Sequence, residues 1–193
     1  MLDNLKKYKV KLASNSPRRR ELLSGLGVDY EVKLVPGIDE TYPDSLRGEE
    51  IPVYIAKKKA DAYRATLQPE ELLITADTIV YVDGTVLGKP ENEQDACRML
   101  RLLSGRTHQV MTGVCLTTTC FQKSFSCVTD VTFDSLSEEE INYYVEKYRP
   151  MDKAGSYGVQ EWIGFVGVTG LKGSYYNVMG LPVQRLYKEL KEL

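Results

Sequence analysis

Two short stretches set charged groups where a folded chain can present them to a ligand. Ser14-Asn15-Ser16-Pro17-Arg18-Arg19-Arg20 follows an alternating apolar run. The spacing predicts a strand running into a helix capped by Ser16, with Pro17 at its first position. Unpaired amides and the helix dipole favour an anion at such an end and disfavour cations in the first turn. Arginines there oppose the dipole unless an anion compensates, which points to a phosphate ligand; the alternative is a capped helix whose arginines reach into water. Asp77-Thr78 lies between two apolar runs, Leu72 to Ala76 and Ile79 to Val82. A carboxylate is costly to bury there. The pattern therefore predicts a strand end facing a cleft, where Asp77 could bind a divalent cation or take a proton from water; an edge aspartate or a turn cap is the other reading.

Other segments carry charge with less direction. Gly84-Thr85-Val86-Leu87-Gly88-Lys89-Pro90 has three residues between its glycines and a proline after the lysine. A P-loop needs four and then Ser or Thr, so that motif is rejected. Lys89 could still meet a phosphate at the end of a hairpin, or stand solvated. Lys57-Lys58-Lys59 splays around a helix, so one or two of them at most face a common site; a charged outer face is the default. Gly37-Ile38-Asp39-Glu40 adds two acids in a loop. The glycine-punctuated stretch from Asp152 to Gln160 suits a binding loop. His108 is expected to make a structural hydrogen bond, and Trp162 to pack rather than stack on a base.

The chemistry is narrowed by what the chain lacks. A single histidine excludes a zinc site built on several histidines and makes a Ser-His-Asp triad a poor candidate. Four cysteines, none in a CxxC pair, read as reduced thiols of a cytoplasmic protein. A net charge of -2 gives no argument for nucleic acid as a partner. No apolar run approaches a membrane span, and the N-terminus has no signal-like core. With 193 residues, 42% of them hydrophobic, the chain can bury a core of its own as one domain.

The elements that must position these residues alternate in type. Strands are expected over Tyr8 to Ala13, Asp29 to Val35, Leu72 to Ala76 and Ile79 to Val82, the last turning at Asp83-Gly84. Long antiparallel strands are expected over His108 to Thr118 and Phe121 to Phe133, and short ones near Phe165 to Val168 and Tyr175 to Val178. The first helix buries Leu22, Leu23 and Leu26 and ends at Gly25 or Gly27. Another spans Glu49 to Leu67 with Ile55, Ala56, Ala60 and Ala62 inside. Glu93 to Leu103 is amphipathic and ends at Gly105. Ser137-Glu138-Glu139-Glu140 is a capping box before Ile141 to Tyr148, and Pro182 starts a terminal helix. The sum is an α/β fold with a mixed central sheet flanked by helices. Residue types alone stop at phosphate ester chemistry.

In order and spacing, LASNSPRRRELL, GIDE, AKKKA, ADTIV, GKP, LSGRTHQVMTGV, DKAGSYGVQ and GLP run along almost the whole chain. This set resembles the Maf (septum formation) family of nucleoside triphosphate pyrophosphatases. The resemblance implies two lobes around a cleft, a divalent metal such as Mg²⁺ or Mn²⁺, and cleavage between the α- and β-phosphates. It places Asp77 on the family's catalytic acid, and Glu40, Lys59 and Lys89 on the acidic and basic positions that line the cleft. Ser14 and Arg19 match its phosphate-facing motif. A mechanism that fits has the metal held by Asp77, with Glu40 as a second candidate ligand, and the triphosphate neutralised by Arg19, Lys59 and Lys89. Arg18, Thr78 and Gln160 match the subtype that acts on dTTP and UTP, where the 7-methyl-GTP subtype carries Trp, Gln and Glu. Asn15 departs from the small residue common in the family. A homodimer is also implied. An inosine or xanthosine triphosphate pyrophosphatase and a nucleotide-binding regulator of cell division without turnover are the competing readings.

Overall fold

The computed structural model describes residues 2–193. Seven strands form one sheet: β1 (Lys9–Leu12), β2 (Tyr30–Val32), β3 (Glu71–Val82), β4 (Thr85–Leu87), β5 (Thr107–Thr117), β6 (Gln122–Phe133) and β7 (Val168–Lys172). Their hydrogen-bonded order is β2-β1-β3-β5-β6-β7, with β4 on β3. β1 runs parallel to both β2 and β3, pairing Val10 with Tyr30 and with Leu72, whereas β3–β4 and β6–β7 are antiparallel. The sheet is therefore mixed, as the alternation of elements implies. The helices are α1 (Pro17–Gly25), α2 (Glu50–Asp61), α3 (Glu93–Leu103), α4 (Glu138–Tyr148), α5 (Trp162–Gly167), α6 (Tyr175–Met179) and α7 (Val183–Lys191). The chain divides into two compact units, one of residues 1–77, 112–127 and 180–193, the other of 78–111 and 128–179.

In the first unit, Ser16 caps α1 by accepting from the Arg19 amide, and Pro17 opens the helix. Leu22 and Leu23 are buried. Gly27, at φ +68, takes the left-handed position that stops α1. Helix α2 lies against the sheet through small residues. Ala56 and Ala60 are fully buried with Tyr63, Leu67, Leu73 and Cys115. The Thr75 hydroxyl donates to the Ala56 carbonyl at 2.7 Å. At Gly113 on β5 a Cβ would stand 2.3 Å from the Pro52 carbonyl carbon, so only glycine allows the first turn of α2 to come this close. The expected single helix from Glu49 to Leu67 is shorter: α2 stops at Asp61 and a 3-10 turn covers Arg64–Thr66. Ala62 is exposed rather than buried. The stripe Ala56, Ala60, Tyr63, Leu67 keeps a helical spacing through that turn, which is why the two pieces read as one. The strand expected over Asp29 to Val35 is only the three residues of β2.

In the second unit, Asp83 and Gly84 both take positive φ, 47° and 81°, and close the β3–β4 hairpin. The capping box of α4 forms as expected: Ser137 and Glu140 cap each other's backbone. A guanidinium–carboxylate fork, Arg101 to Glu138 at 2.7 Å on both arms, joins α3 to α4. Of two expected short strands, the one near Phe165 to Val168 is displaced, starting only at Val168 as β7, and the one at Tyr175 to Val178 is a helix. Phe165 lies in α5 and Tyr175 to Val178 in α6, with β7 between them. Short apolar runs do not distinguish the two periods. The missed signal is Ser174, whose hydroxyl accepts from the Asn177 amide at 3.3 Å in the manner of an N-cap.

His108 is buried and its Nε2 lies 2.6 Å from the Tyr157 hydroxyl, in an edge-packed cluster with Phe133. The structural role expected of it is what the geometry shows. Burial pushes its pKa from 6.5 down to about 4. The neutral ring is compatible with the fold, and the unfolded chain binds the proton more readily. Stability is thus whole above pH 6.5 and falls as the pH drops through the folded value of about 4, by about 3 kcal/mol in all. Replacement His108→Gln should flatten this part of the profile. Urea unfolding of both proteins between pH 7 and 4 reads it: the difference between their curves should change with pH, and a constant offset would contradict the assignment.

Candidate active site

The strand-end aspartate expected at position 77 lies instead in the interior of β3, with Glu71–Val82 running unbroken through it. Asp77 is 8% exposed. A carboxylate so placed needs a compensating cation. It comes from α2: the Lys59 ammonium lies 2.8 Å from Asp77 Oδ1, and 2.9 Å from Glu40 Oε1. Of the three consecutive lysines, Lys59 faces Asp77, while Lys58 holds Asp39 at 2.7 Å and donates to the Thr41 carbonyl at 2.9 Å. The charged outer face expected of this run fails at Lys59. Asp39 also accepts from the Thr41 amide at 2.9 Å. That turn sits beside Glu40 and, with the Lys58 pair, fixes the segment carrying Glu40 to α2. Hydrogen bonds from Lys58 and Thr41 hold Asp39's carboxyl well below the usual carboxylate range.

The arginines of α1 divide their work. Arg19 is half-buried, and its guanidinium bonds two backbone carbonyls: Nε donates to that of Gly180 at 2.8 Å and Nη1 to that of Ala76, within β3, at 2.9 Å. Two of its five donors are thereby spent on holding the residue before Asp77 and the GLP turn in place. Burial lowers its pKa, while the charges of Asp77 and Glu40 act the other way. Arg20 donates to the Ser14 carbonyl at 3.3 Å. The buried Ser14 accepts the Ser16 amide at 3.2 Å through its hydroxyl, shaping the entry to α1. Arg18 is half-buried on the same turn. Thus Ser14, Arg18, Arg19, Glu40, Lys59 and Asp77 all belong to the first unit, and four of them, Arg19, Glu40, Lys59 and Asp77, form one electrostatic cluster.

Thr78, Lys89 and Gln160 belong to the second unit. Thr78 is half-buried and follows Asp77 on β3. Lys89 is exposed just past β4. The carbonyl of the preceding Gly88 accepts from the Gly155 amide at 3.0 Å, tying the Lys89 segment to the one that carries Gln160. Residues 153 and 155 to 159 of this stretch, expected as a binding loop, are buried, so it is a packed segment. Gly155, at φ +67, leaves no room for a side chain against Val80. Trp162 packs edge-on against Tyr143 at 4.8 Å, as expected. The Gln160 side-chain oxygen is buried with no hydrogen-bond partner among the described residues.

A divalent cation can be tested against these groups. Asp77 and Glu40 already converge on one positive atom, the Lys59 ammonium, each within 2.9 Å. Mg²⁺ and Mn²⁺ commonly take one or two carboxylates and complete their shell with phosphate oxygens and water. The pair fits that partial ligand set. Among the described residues no group of three or more His, Cys, Asp or Glu could hold a metal without such help.

The family model for Maf-like protein matches residues 9–193. The chain belongs to the Maf family. It is 71% identical over 193 residues to a dTTP/UTP pyrophosphatase from Phocaeicola vulgatus, covering all of both chains. To a protein of the same name from Porphyromonas gingivalis it is 59% identical over 194 residues, covering 100% of this chain and 98% of that one. Among solved structures, a HAM1 protein from Coxiella burnetii aligns with a TM-score of 0.49 at 16% identity, over 96% of this chain and 100% of that chain. No helix of the described residues is long and apolar enough to cross a membrane.

Deleting one partner of the Lys59–Asp77 pair removes the contact at 2.8 Å from a buried charge and leaves only its other neighbours, Glu40 for Lys59 and Arg19 for Asp77. Lys59→Met and Asp77→Asn should each lower stability, and the double variant should lose less than the sum. The expected coupling is about 1–3 kcal/mol by urea unfolding. Additive losses would mean that the two side chains do not depend on each other.

Proposed function

We propose that this chain hydrolyses dTTP and UTP to their monophosphates and pyrophosphate, as a cytoplasmic enzyme that works with a divalent metal. The observation that carries the reading is the buried carboxylate of Asp77 held 2.8 Å from the Lys59 ammonium, with Glu40 on the same ammonium. The names of relatives 71% and 59% identical over essentially full length support the substrate class. The family resemblance is the support for a second copy of the chain as its partner in a homodimer.

In the reaction, a water oxygen bonds to the α-phosphorus, the bond from that phosphorus to the bridging oxygen breaks, and pyrophosphate leaves with the bond's electron pair. Asp77 accepts the proton of the attacking water. Asp77 and Glu40 would hold the metal, whose chemistry is to neutralise phosphate oxygens when bound. Lys59 can release Glu40 and Asp77 and turn its ammonium to a phosphate, since its three donors point freely about one atom. Arg19, anchored through Nε and Nη1, offers a fixed positive charge beside Asp77. Ser14 and the amides after Ser16 add donors at the start of α1. Lys89 supplies a further cation from its exposed position. Arg18, Thr78 and Gln160 select the nucleotide.

Asp77→Asn keeps the size of the side chain and its ability to accept from Lys59, but no longer takes a proton. Turnover of dTTP and UTP with Mg²⁺ or Mn²⁺ should fall about 10²–10⁴-fold while the fold persists. Chromatography of the products gives the check. Near-normal turnover in the variant would remove Asp77 from the chemistry, and diphosphate plus orthophosphate from the unaltered protein would refute the reaction itself.

A further inference from the structure

Asp77 and Glu40 share one ammonium, and in the proposed reaction that ammonium turns away to a phosphate. Asp77 keeps its place because β3 carries it. Glu40 has no such element beneath it. It lies in residues 33–49, between β2 and α2, where there is neither strand nor helix. A carboxylate on an irregular segment has to be ordered when it meets a cation, and that ordering weakens the binding.

The first unit contains a second hold on this segment. Asp39 and Thr41, on either side of Glu40, are bonded to each other. The Thr41 amide donates to Asp39 Oδ1 at 2.9 Å, and the Thr41 hydroxyl to Oδ2 at 2.7 Å. The bonds close a turn around Glu40 and set its backbone. One side chain then fastens the turn to α2. The Lys58 ammonium donates to Asp39 Oδ2 at 2.7 Å, to the Thr41 carbonyl at 2.9 Å and to the Thr41 hydroxyl at 3.2 Å. All three of its donors are spent in this way. An exposed ion pair alone holds little, but here one cation bonds three oxygens of a closed ring. Just upstream, the Val35 amide donates to the Tyr63 hydroxyl at 2.9 Å, and Ile38 packs against the cluster of Ala56, Ala60 and Tyr63. None of these contacts uses the Glu40 carboxylate or Lys59, so they persist when Lys59 leaves.

We propose that Lys58, with the Asp39–Thr41 turn, is a positioning residue for the metal: it keeps Glu40 beside Asp77 once Lys59 has moved, and so raises the affinity for Mg²⁺ or Mn²⁺. The inference deepens the metal-dependent reading and rests on it. Lys58 acts through Glu40 and does not touch the reacting atoms.

A positive charge near a cation site repels the cation, so its removal alone should tighten binding. Loss of a positioning residue should weaken it. Lys58→Met sets the two effects against each other. Mn²⁺ is titrated into the full chain with an equimolar amount of the α,β-imido analogue of UTP, which is not hydrolysed, and free Mn²⁺ is read by its paramagnetic resonance. The dissociation constant of Lys58→Met should rise about tenfold, as is usual when a partner that orients a metal ligand is lost. Lys57→Met removes the same charge from an exposed neighbour on α2 and should leave the constant unchanged or lower it. Unchanged or tighter binding in Lys58→Met overturns the inference, and Lys58→Ala carries the test if that variant does not fold. Equal weakening in Lys57→Met overturns it too. Glu40→Gln separates the two levels. If it weakens Mn²⁺ binding while Lys58→Met does not, only the positioning role fails. If it binds Mn²⁺ as the unaltered chain does, or if the unaltered chain binds none, Glu40 is not a ligand, and the positioning role falls with it.

Discussion

A carboxylate in the middle of a strand that is buried on both faces needs a cation delivered to it, and in this chain the delivery sets the tolerances of the whole first unit. Lys59 reaches Asp77 from a helix lying over the sheet. That helix has to lie close, which is why Ala56 and Ala60 face the strands and why Gly113 stands under Pro52. It also has to hold its position along the strand. The Thr75 hydroxyl, fully buried and bonded to the Ala56 carbonyl, fixes it two residues from Asp77. The energetics run in one direction: a buried acid and base are costly apart and acceptable together. Placing the acid in the sheet thus constrains the residues that can be tolerated beneath α2.

The arginine-rich start of α1 follows the same logic. Cations in the first turn of a helix oppose its dipole. Arg19 and Arg20 offset this by donating to the carbonyls of Gly180, Ala76 and Ser14. Arg19 thereby braces the strand just before Asp77 as well as contributing charge beside it. Two backbone carbonyls thus help to set its position.

The second unit stabilises polar groups by packing. The segment from Lys153 to Val159 is largely buried, with Gly155 against Val80 and Ser156 donating to the Met99 sulfur at 3.1 Å. Lys153, Glu161 and Tyr144 satisfy one another there. A segment so tied is rigid in the sense that any displacement breaks several buried bonds at once. His108, neutral and edge-packed between Phe133 and Tyr157, belongs to the same interior.

Much of this was open to reading from the residues alone. Alternating apolar positions marked β1; Ser16-Pro17 and Ser137 with Glu140 marked helix starts; Asp83-Gly84 marked a hairpin. These are local signals, governed by backbone sterics and by hydrogen bonds over three or four residues, so a short window contains them. Other features depended on contacts distant in the chain. Asp77 looked like a strand end because nothing within ten residues could neutralise it; the neutralising ammonium stands 18 residues earlier. The 165–168 and 175–178 runs looked extended because their apolar spacing fits either period, and the tertiary bond of the Ser174 amide to Thr129 Oγ1 helps set the turn into α6. Which of three adjacent lysines meets the acid, whether the glycine-rich segment is loop or core, and which end of the Gln160 amide is left unpaired were decided by burial. Burial is a property of the assembled sheet and its helices, and no stretch of sequence carries it by itself.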